Sequence, residues 1–238
     1  MKQSSIAHSL LFLFIILLLS CQNDPKSDKN DQAVSQEQLN VDTNENANKP
    51  GTPGIAEDYT NTNRVIWQKP DMIIDLLGDV SNKTVADIGA GTGFFALRIT
   101  PKAKKVIAID IDERFVEYLD SVKQLELPEN LQPKLEARLA DPNDPHLQAE
   151  EADAVIIVNT FMYIENKVEY LKILQKGMSK GGKLVIVDFK KKRSPLGPPS
   201  EIRMPIHVVE EALYEAGYRN IETNDTALDY QYIVTAQK

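Results

Sequence analysis

From Asp58 to the C-terminus, short apolar runs alternate with segments whose apolar residues recur every three or four positions. "KTVADI" (83–88) and "KVIAIDI" (105–111) are β-branched runs of strand length, as are "LEARLA" (135–140), "DAVIIVN" (153–159) and "KLVIVDF" (183–189). Between them, "ERFVEYLDSVKQL" (113–125) sets Phe115, Leu119 and Val122 on one helical face, and "NKVEYLKILQKGM" (166–178) aligns Tyr170, Leu171, Leu174 and Met178. Gly181-Gly182 reads as the stop of that second helix, and "IHVVEEALYEAG" (206–217) as a further helix capped by Gly217. The tail, residues 218–238, reads as two strands joined by a turn. Such alternation predicts an α/β domain with a doubly wound, mostly parallel sheet covered on both faces. The closing strands have no helix between them and must form an antiparallel hairpin.

The first 57 residues follow another pattern. One Lys precedes an apolar run from Leu10 to Leu19, too short for the roughly 20 residues of a membrane span and suited to a signal-peptide core. Leu18-Leu19-Ser20-Cys21 resembles the lipobox of bacterial lipoproteins, in which the cysteine is lipidated and becomes the mature N-terminus. An uncleaved signal anchor with an incidental cysteine is the alternative. Residues 22–57 are polar, Pro-containing and free of aromatics, so they bury too little to offset ordering entropy. They read as a tether with a reach of roughly 30–35 Å. The expected organisation is therefore a signal peptide over 1–20, a lipidated Cys21 and tether over 21–57, and one folded domain over 58–238, held at a cell-envelope membrane.

Composition narrows the function classes. The 238 residues carry a net charge of -8, which argues against sequence-independent nucleic-acid binding. Cys21 is the sole cysteine, so neither an intrachain disulfide nor a cysteine metal cluster is available. His8, His146 and His207 lack metal-ligand spacing.

The chemistry concentrates in "VADIGAGTGFFALRIT" (85–100), a strand entering three alternating glycines. Gly91-Thr92-Gly93-Phe94-Phe95-Ala96 fits a dinucleotide pattern, yet Asp87 stands two residues before Gly89. Beside a pyrophosphate, a carboxylate would cost roughly 3 kcal/mol per charge pair at about 5 Å and an effective dielectric of 20. A cationic ligand reverses that sign.

At this point the chain resembles the class I S-adenosylmethionine-dependent methyltransferases. The resemblance spans about residues 60–238 and rests on several motifs in order. Asp87-Ile88-Gly89-Ala90-Gly91-Thr92-Gly93 looks like the family's first motif. Val106-Ile107-Ala108-Ile109-Asp110, with Ile111 after it, looks like the second, whose acid takes the ribose hydroxyls. Leu139-Ala140-Asp141 matches the adenine-binding acid, and 153–159, ending at Asn159, the segment lining the methionine moiety and substrate. The resemblance implies a Rossmann-like, seven-stranded sheet and S-adenosyl-L-methionine as cofactor, bound by Asp87, Gly89, Ala90, Gly91, Gly93, Asp110, Ile111, Asp141 and Asn159.

Bland roles compete at several positions. The glycines could serve only a tight turn. Asp110 could cap the following helix, although Asp112 suits that better. Asp141 could make an Asx turn in "DPNDP", and Asn159 could satisfy loop backbone. On the acceptor side, the carboxyl ends of the strands place Asn159–Tyr163, Asp188 and the basic, Pro-rich 190–205 near the transferred methyl. Trp67, in an arginine-and-tryptophan segment (64–70), reads as packing, and Tyr163 and His207 as structural rather than as bases. The expected activity is methyl transfer to a small-molecule acceptor, with no nucleic-acid partner. An exported domain is separated from cytoplasmic S-adenosylmethionine, so a non-catalytic cofactor-binding or scaffold lipoprotein is the competing reading. An NAD-linked oxidoreductase is disfavoured by Asp87 and by the terminal hairpin.

Overall fold

The computed structural model describes residues 63–238. The signal peptide, Cys21, the tether and the expected domain start at Asp58 lie outside the described residues. Two short helices, α1 (Arg64–Gln68) and α2 (Pro70–Asp75), precede β1 (Thr84–Ile88). Then follow α3 (Ala96–Ile99), β2 (Lys105–Asp110), α4 (Glu113–Glu126), β3 (Leu135–Leu139) and β4 (Ala152–Val158). The second half holds α5 (Lys167–Gly177), β5 (Met178–Phe189), α6 (Ile206–Glu215), β6 (Arg219–Asn224) and β7 (Gln231–Gln237).

The strands form one seven-stranded sheet in the order β3-β2-β1-β4-β5-β7-β6. β1 to β5 are parallel; β7 runs antiparallel to both β5 and β6. The sheet is the expected doubly wound, Rossmann-like one, with the closing hairpin at its edge. Its central strands read as unbroken apolar runs because both faces are covered. Val85, Ala108, Ile156 and Val187 pack with residues of α2, α3 and α4. Ala86, Ile107, Ile157 and Ile186 pack with α5 and α6. The outer strand β6 is almost wholly exposed and rich in polar residues, which discourages pairing with a further strand.

One expectation fails. Gly181-Gly182 do not stop α5, which ends at Gly177 with Met178 already extended. The two glycines lie inside β5, where the register with β4 shifts between Ala152 and Ala154. A Cβ on Gly182 would stand 2.8 Å from the Ser179 carbonyl, so the glycines serve an irregularity in the strand.

Candidate functional site

β1 ends against the glycine turn. The amides of Gly89 and Ala90 donate to the Ile109 carbonyl at 2.8 and 3.0 Å, joining the turn to β2. Gly89 has φ +73, and a Cβ there would lie 2.2 Å from Thr160 Oγ1. Its bare backbone lets the segment after β4 close on the turn. Gly91 differs: nothing lies within 4 Å of where its Cβ would stand, and its amide donates to Asp110 Oδ2 at 2.8 Å. Asp110 Oδ1 accepts the Asp112 amide at 3.0 Å. The carboxylate therefore ties the turn to the corner leading into α4, while Asp112 caps α4 by accepting the Arg114 amide. Burial pushes the pKa of Asp110 up, opposed by the amides of Asp112, Gly91 and Ile111.

Asp87 is 3% exposed, and one of its oxygens, Oδ2, has no hydrogen-bond partner. Burial pushes its pKa up to about 7, against the Ala96 amide and the Arg64 guanidinium, and with added repulsion from Asp110. Arg64 stacks 4.0 Å over the Phe94 ring, and its Nε donates to Gln68 Oε1 at 2.6 Å. From there the buried polar chain continues: Gln68 Nε2 donates to Gln231 Oε1 at 2.9 Å, and Gln231 Nε2 to Asn159 Oδ1 at 2.5 Å. Four side chains thus brace α1 against β7 and the end of β4.

Asn159 has φ +60, and its amide donates to the Val187 carbonyl at 2.9 Å. Its side-chain oxygen belongs to the brace. Ile111 and Leu139 leave a half-exposed apolar rim on either side of Asp110. The amide of Ala140 donates to the Asp110 carbonyl at 3.0 Å, which brings Asp141 to the same edge. Asp141 is exposed; its Oδ2 lies 2.9 Å from His146 Nε2, and its backbone exchanges hydrogen bonds with Asp144. Asp144 makes the Asx contact here, accepting the His146 amide at 2.8 Å. Sequence reasoning passed over Gln68 and Gln231. Each interrupts an apolar stretch, "VIWQ" and "YQYIV", and that interruption was the available signal.

On the acceptor side, Asp188 is fully buried at the end of β5, and its Oδ2 accepts the Met162 amide at 3.0 Å. Its other oxygen has no partner; burial pushes its pKa up to about 8, against the Met162 amide and the Lys167 ammonium. Trp67 packs against Phe189 and Tyr230, with ring centroids 5.8 and 6.3 Å away, and its indole Nε1 has no partner. It lines a cavity of about 260 Å³ with Asn63, Ile66, Leu196 and Tyr230. The loop 190–205 is built around Arg203, which donates to the carbonyls of Lys192, Leu196 and Pro198 at 2.9, 2.9 and 2.7 Å. Tyr163 and His207 are exposed.

The fold and the acid-clamped glycine turn define a doubly wound α/β protein, a class whose ligands sit beyond the carboxyl ends of the strands. A family profile described as a methyltransferase domain matches residues 79–232, and the chain belongs to that family. Among solved structures, it is similar to an S-adenosylmethionine-dependent methyltransferase from Aquifex aeolicus, with 24% identity, 79% of this chain and 98% of the other covered, and a TM-score of 0.71. It is also similar to phosphoethanolamine N-methyltransferase 2 of Haemonchus contortus in complex with S-adenosyl-L-methionine, at 12% identity, 72% and 52% coverage and a TM-score of 0.60. An uncharacterized RNA methyltransferase of Clostridium acetobutylicum is 49% identical over 45 residues, 19% of this chain. The chain spans a tenth of that relative's length, 10%.

Proposed function

We propose that the protein transfers the methyl group of S-adenosyl-L-methionine to a small-molecule acceptor, at a membrane to which Cys21 anchors it. The observation that carries the cofactor is the glycine turn: open space stands over Gly91, and two buried carboxyls, Asp87 and Asp110, flank it. Those acids suit a ligand that carries cations and a ribose and has no phosphate. Asp110 accepts from the ribose hydroxyls while keeping the Gly91 amide, since each carboxylate oxygen has a second lone pair. Ile111 and Leu139 offer apolar surface to the adenine, with Asp141 at its edge. Asp87, lacking a partner for Oδ2, offers negative charge toward the cationic end.

S-adenosylmethionine supplies a methyl group on a sulfonium, with a neutral thioether as leaving group. The chain's own task is alignment, and alignment alone can contribute about 7–11 kcal/mol. The brace from Arg64 to Asn159 holds α1 in place beside the cavity lined by Trp67 and Tyr230. That cavity is lined by Ile66, Leu196 and two aromatic rings, with Asn63 as its polar member, and offers an acceptor an open, largely apolar seat. Calorimetric titration of the full chain with S-adenosylmethionine and with NAD tests the reading. Binding of the former alone supports it; binding of NAD alone overturns it. The anchor rests on the lipobox and the polar tether, and mass spectrometry of the mature N-terminus tests it.

A further inference from the structure

A second cavity, of about 310 Å³, opens where the end of β5, the start of β7 and the N-terminus of α6 meet. Lys190, Lys191 and Lys192 line it, in a run of four cations within a chain of net charge -8. Pro205 and Ile206 bring the first turn of α6 to its wall, and that turn has no acidic residue and no side-chain cap. A run of lysines or a helix N-terminus would not by itself make a site. The buried wall supplies a separate observation: Tyr232 is 1% exposed, lines this cavity and has a hydroxyl with no hydrogen-bond partner.

We propose that this cavity binds an oxyanion, a phosphate or carboxylate borne by the acceptor, held by Lys191, Lys192, the first amides of α6 and the Tyr232 hydroxyl. Lys190 contributes charge while its ammonium is tied to the Leu228 carbonyl at 2.7 Å. Three carboxylates oppose the anion among the described residues: Asp225 lines the cavity, Asp229 acts on Lys190, and Glu201 acts on Lys191. Burial, and then Asp188, push the Tyr232 pKa up, so the hydroxyl remains a donor. Asp188 is the register partner of Tyr232 across β5 and β7, and with its pKa raised to about 8 it is mostly uncharged at neutral pH and repels no anion. An unmet hydrogen-bonding group in a core costs stability unless a ligand uses it. The reading of the protein as a methyltransferase enters only in assigning the anion to the acceptor.

The test is calorimetric titration of the full chain with inorganic phosphate at low salt, with S-adenosylmethionine titrated in parallel. Saturable phosphate binding is expected, weakened about ten-fold or more by Tyr232→Phe, the loss of one hydrogen bond to a charged group. Lys192→Glu should weaken it further, and both variants should keep their cofactor affinity. Tyr232→Phe removes a buried hydroxyl without changing shape, so its melting temperature should hold or rise; loss of phosphate binding through unfolding would show there. Vesicles of phosphatidylglycerol, with the Cys21→Ser chain so that no anchor intervenes, identify the source: retention that phosphate competes away marks a lipid-borne anion, and no retention marks a soluble one. Absence of phosphate binding, or binding that neither variant changes, overturns the site. So does displacement of S-adenosylmethionine by phosphate, which would put the anion in the cofactor cleft. Loss of cofactor binding with phosphate binding intact would instead overturn the methyltransferase reading and leave the anion site standing.

Discussion

The Gly91 amide donates a 2.8 Å hydrogen bond to Asp110 Oδ2, so the acid at the end of β2 holds the turn at the end of β1. A residue expected to meet the cofactor is also part of the scaffold that shapes the glycine turn. Two strands that already pair in parallel are locked again beyond their ends.

Asp110→Ala should therefore weaken S-adenosylmethionine binding by roughly 1.5–3 kcal/mol, the scale of charge-linked hydrogen bonds. Loss of the Gly91 contact should also lower the melting temperature. Asp110→Asn keeps an acceptor for the Gly91 amide but turns its NH2 toward the Asp112 amide, so it should lose less stability than Asp110→Ala while still weakening binding. Titration calorimetry and thermal unfolding of both variants check this. Unchanged affinity in both would remove Asp110 from the cofactor site.

The glycines of the turn should not be equivalent. Gly91→Ala meets no neighbour, and its φ of +52 costs about 1–2 kcal/mol for a left-handed alanine. Gly89→Ala meets the same backbone penalty plus a collision with Thr160 at 2.2 Å, so it should lose about 2–5 kcal/mol. Thr160→Ala in the Gly89→Ala background should recover part of the loss; no recovery in urea unfolding would refute the packing account. Cofactor affinity should suffer in Gly91→Ala despite its milder fold defect.

How legible was all this in the sequence? The strands were, because runs such as 153–159 are buried on both faces and alternation cannot disguise them. Asp112 was legible as a cap, since a helix follows it at once. Gly181-Gly182 misled, because a glycine pair after an amphipathic stretch reads alike as a helix stop or as a strand irregularity, and only the β4 register tells them apart. The brace of Arg64, Gln68, Gln231 and Asn159 was illegible, since Gln68 and Gln231 stand 163 positions apart and meet only through the fold. The cavity of Tyr232 was hidden for the same reason. Its lysines belong to the basic segment expected near the transferred methyl, and only the fold shows that β7 brings a buried hydroxyl to the same cavity.

Cys21→Ser should release the protein from the membrane fraction and leave cofactor affinity unchanged, because residues 22–57 stand between anchor and domain. Fractionation with mass spectrometry of the N-terminus reads the outcome. An unmodified Cys21 with Met1 still attached would remove the lipoprotein reading.

Stability should fall as pH rises from about 4 to 8. Asp188 has its pKa raised by burial from 3.8 to about 8, and Asp87 to about 7, so across this range the folded chain keeps protons that the unfolded chain releases. With more protons bound in the folded state, the stability contribution is fully present below the unfolded pKa and is lost as pH climbs through the folded one. The slope reaches at most about 1.4 kcal/mol per pH unit per group. Asp188→Asn keeps an acceptor for the Met162 amide and should flatten the curve, being more stable than the parent at pH 8. Urea midpoints between pH 5 and 8 decide it; parallel curves for the two proteins would mean that Asp188 ionises freely in the fold.

The last expectation concerns Asp87 and the charge of the cofactor. Near pH 7 about half of the free protein carries a proton on this carboxyl, set by burial against the Ala96 amide and Arg64, with Asp110 adding repulsion. A cation bound nearby favours the carboxylate, so binding must expel that proton. Affinity for S-adenosylmethionine should then rise with pH, by up to about ten-fold per unit below pH 7, and level off above about pH 8. Calorimetry in two buffers of different ionisation enthalpy measures the released proton directly, approaching one per site at pH 6. Asp87→Asn preserves shape and should abolish both the release and the pH slope. If the parent binds with no proton release and a flat profile, Asp87 faces only α3 and Arg64, and the cation must be met elsewhere.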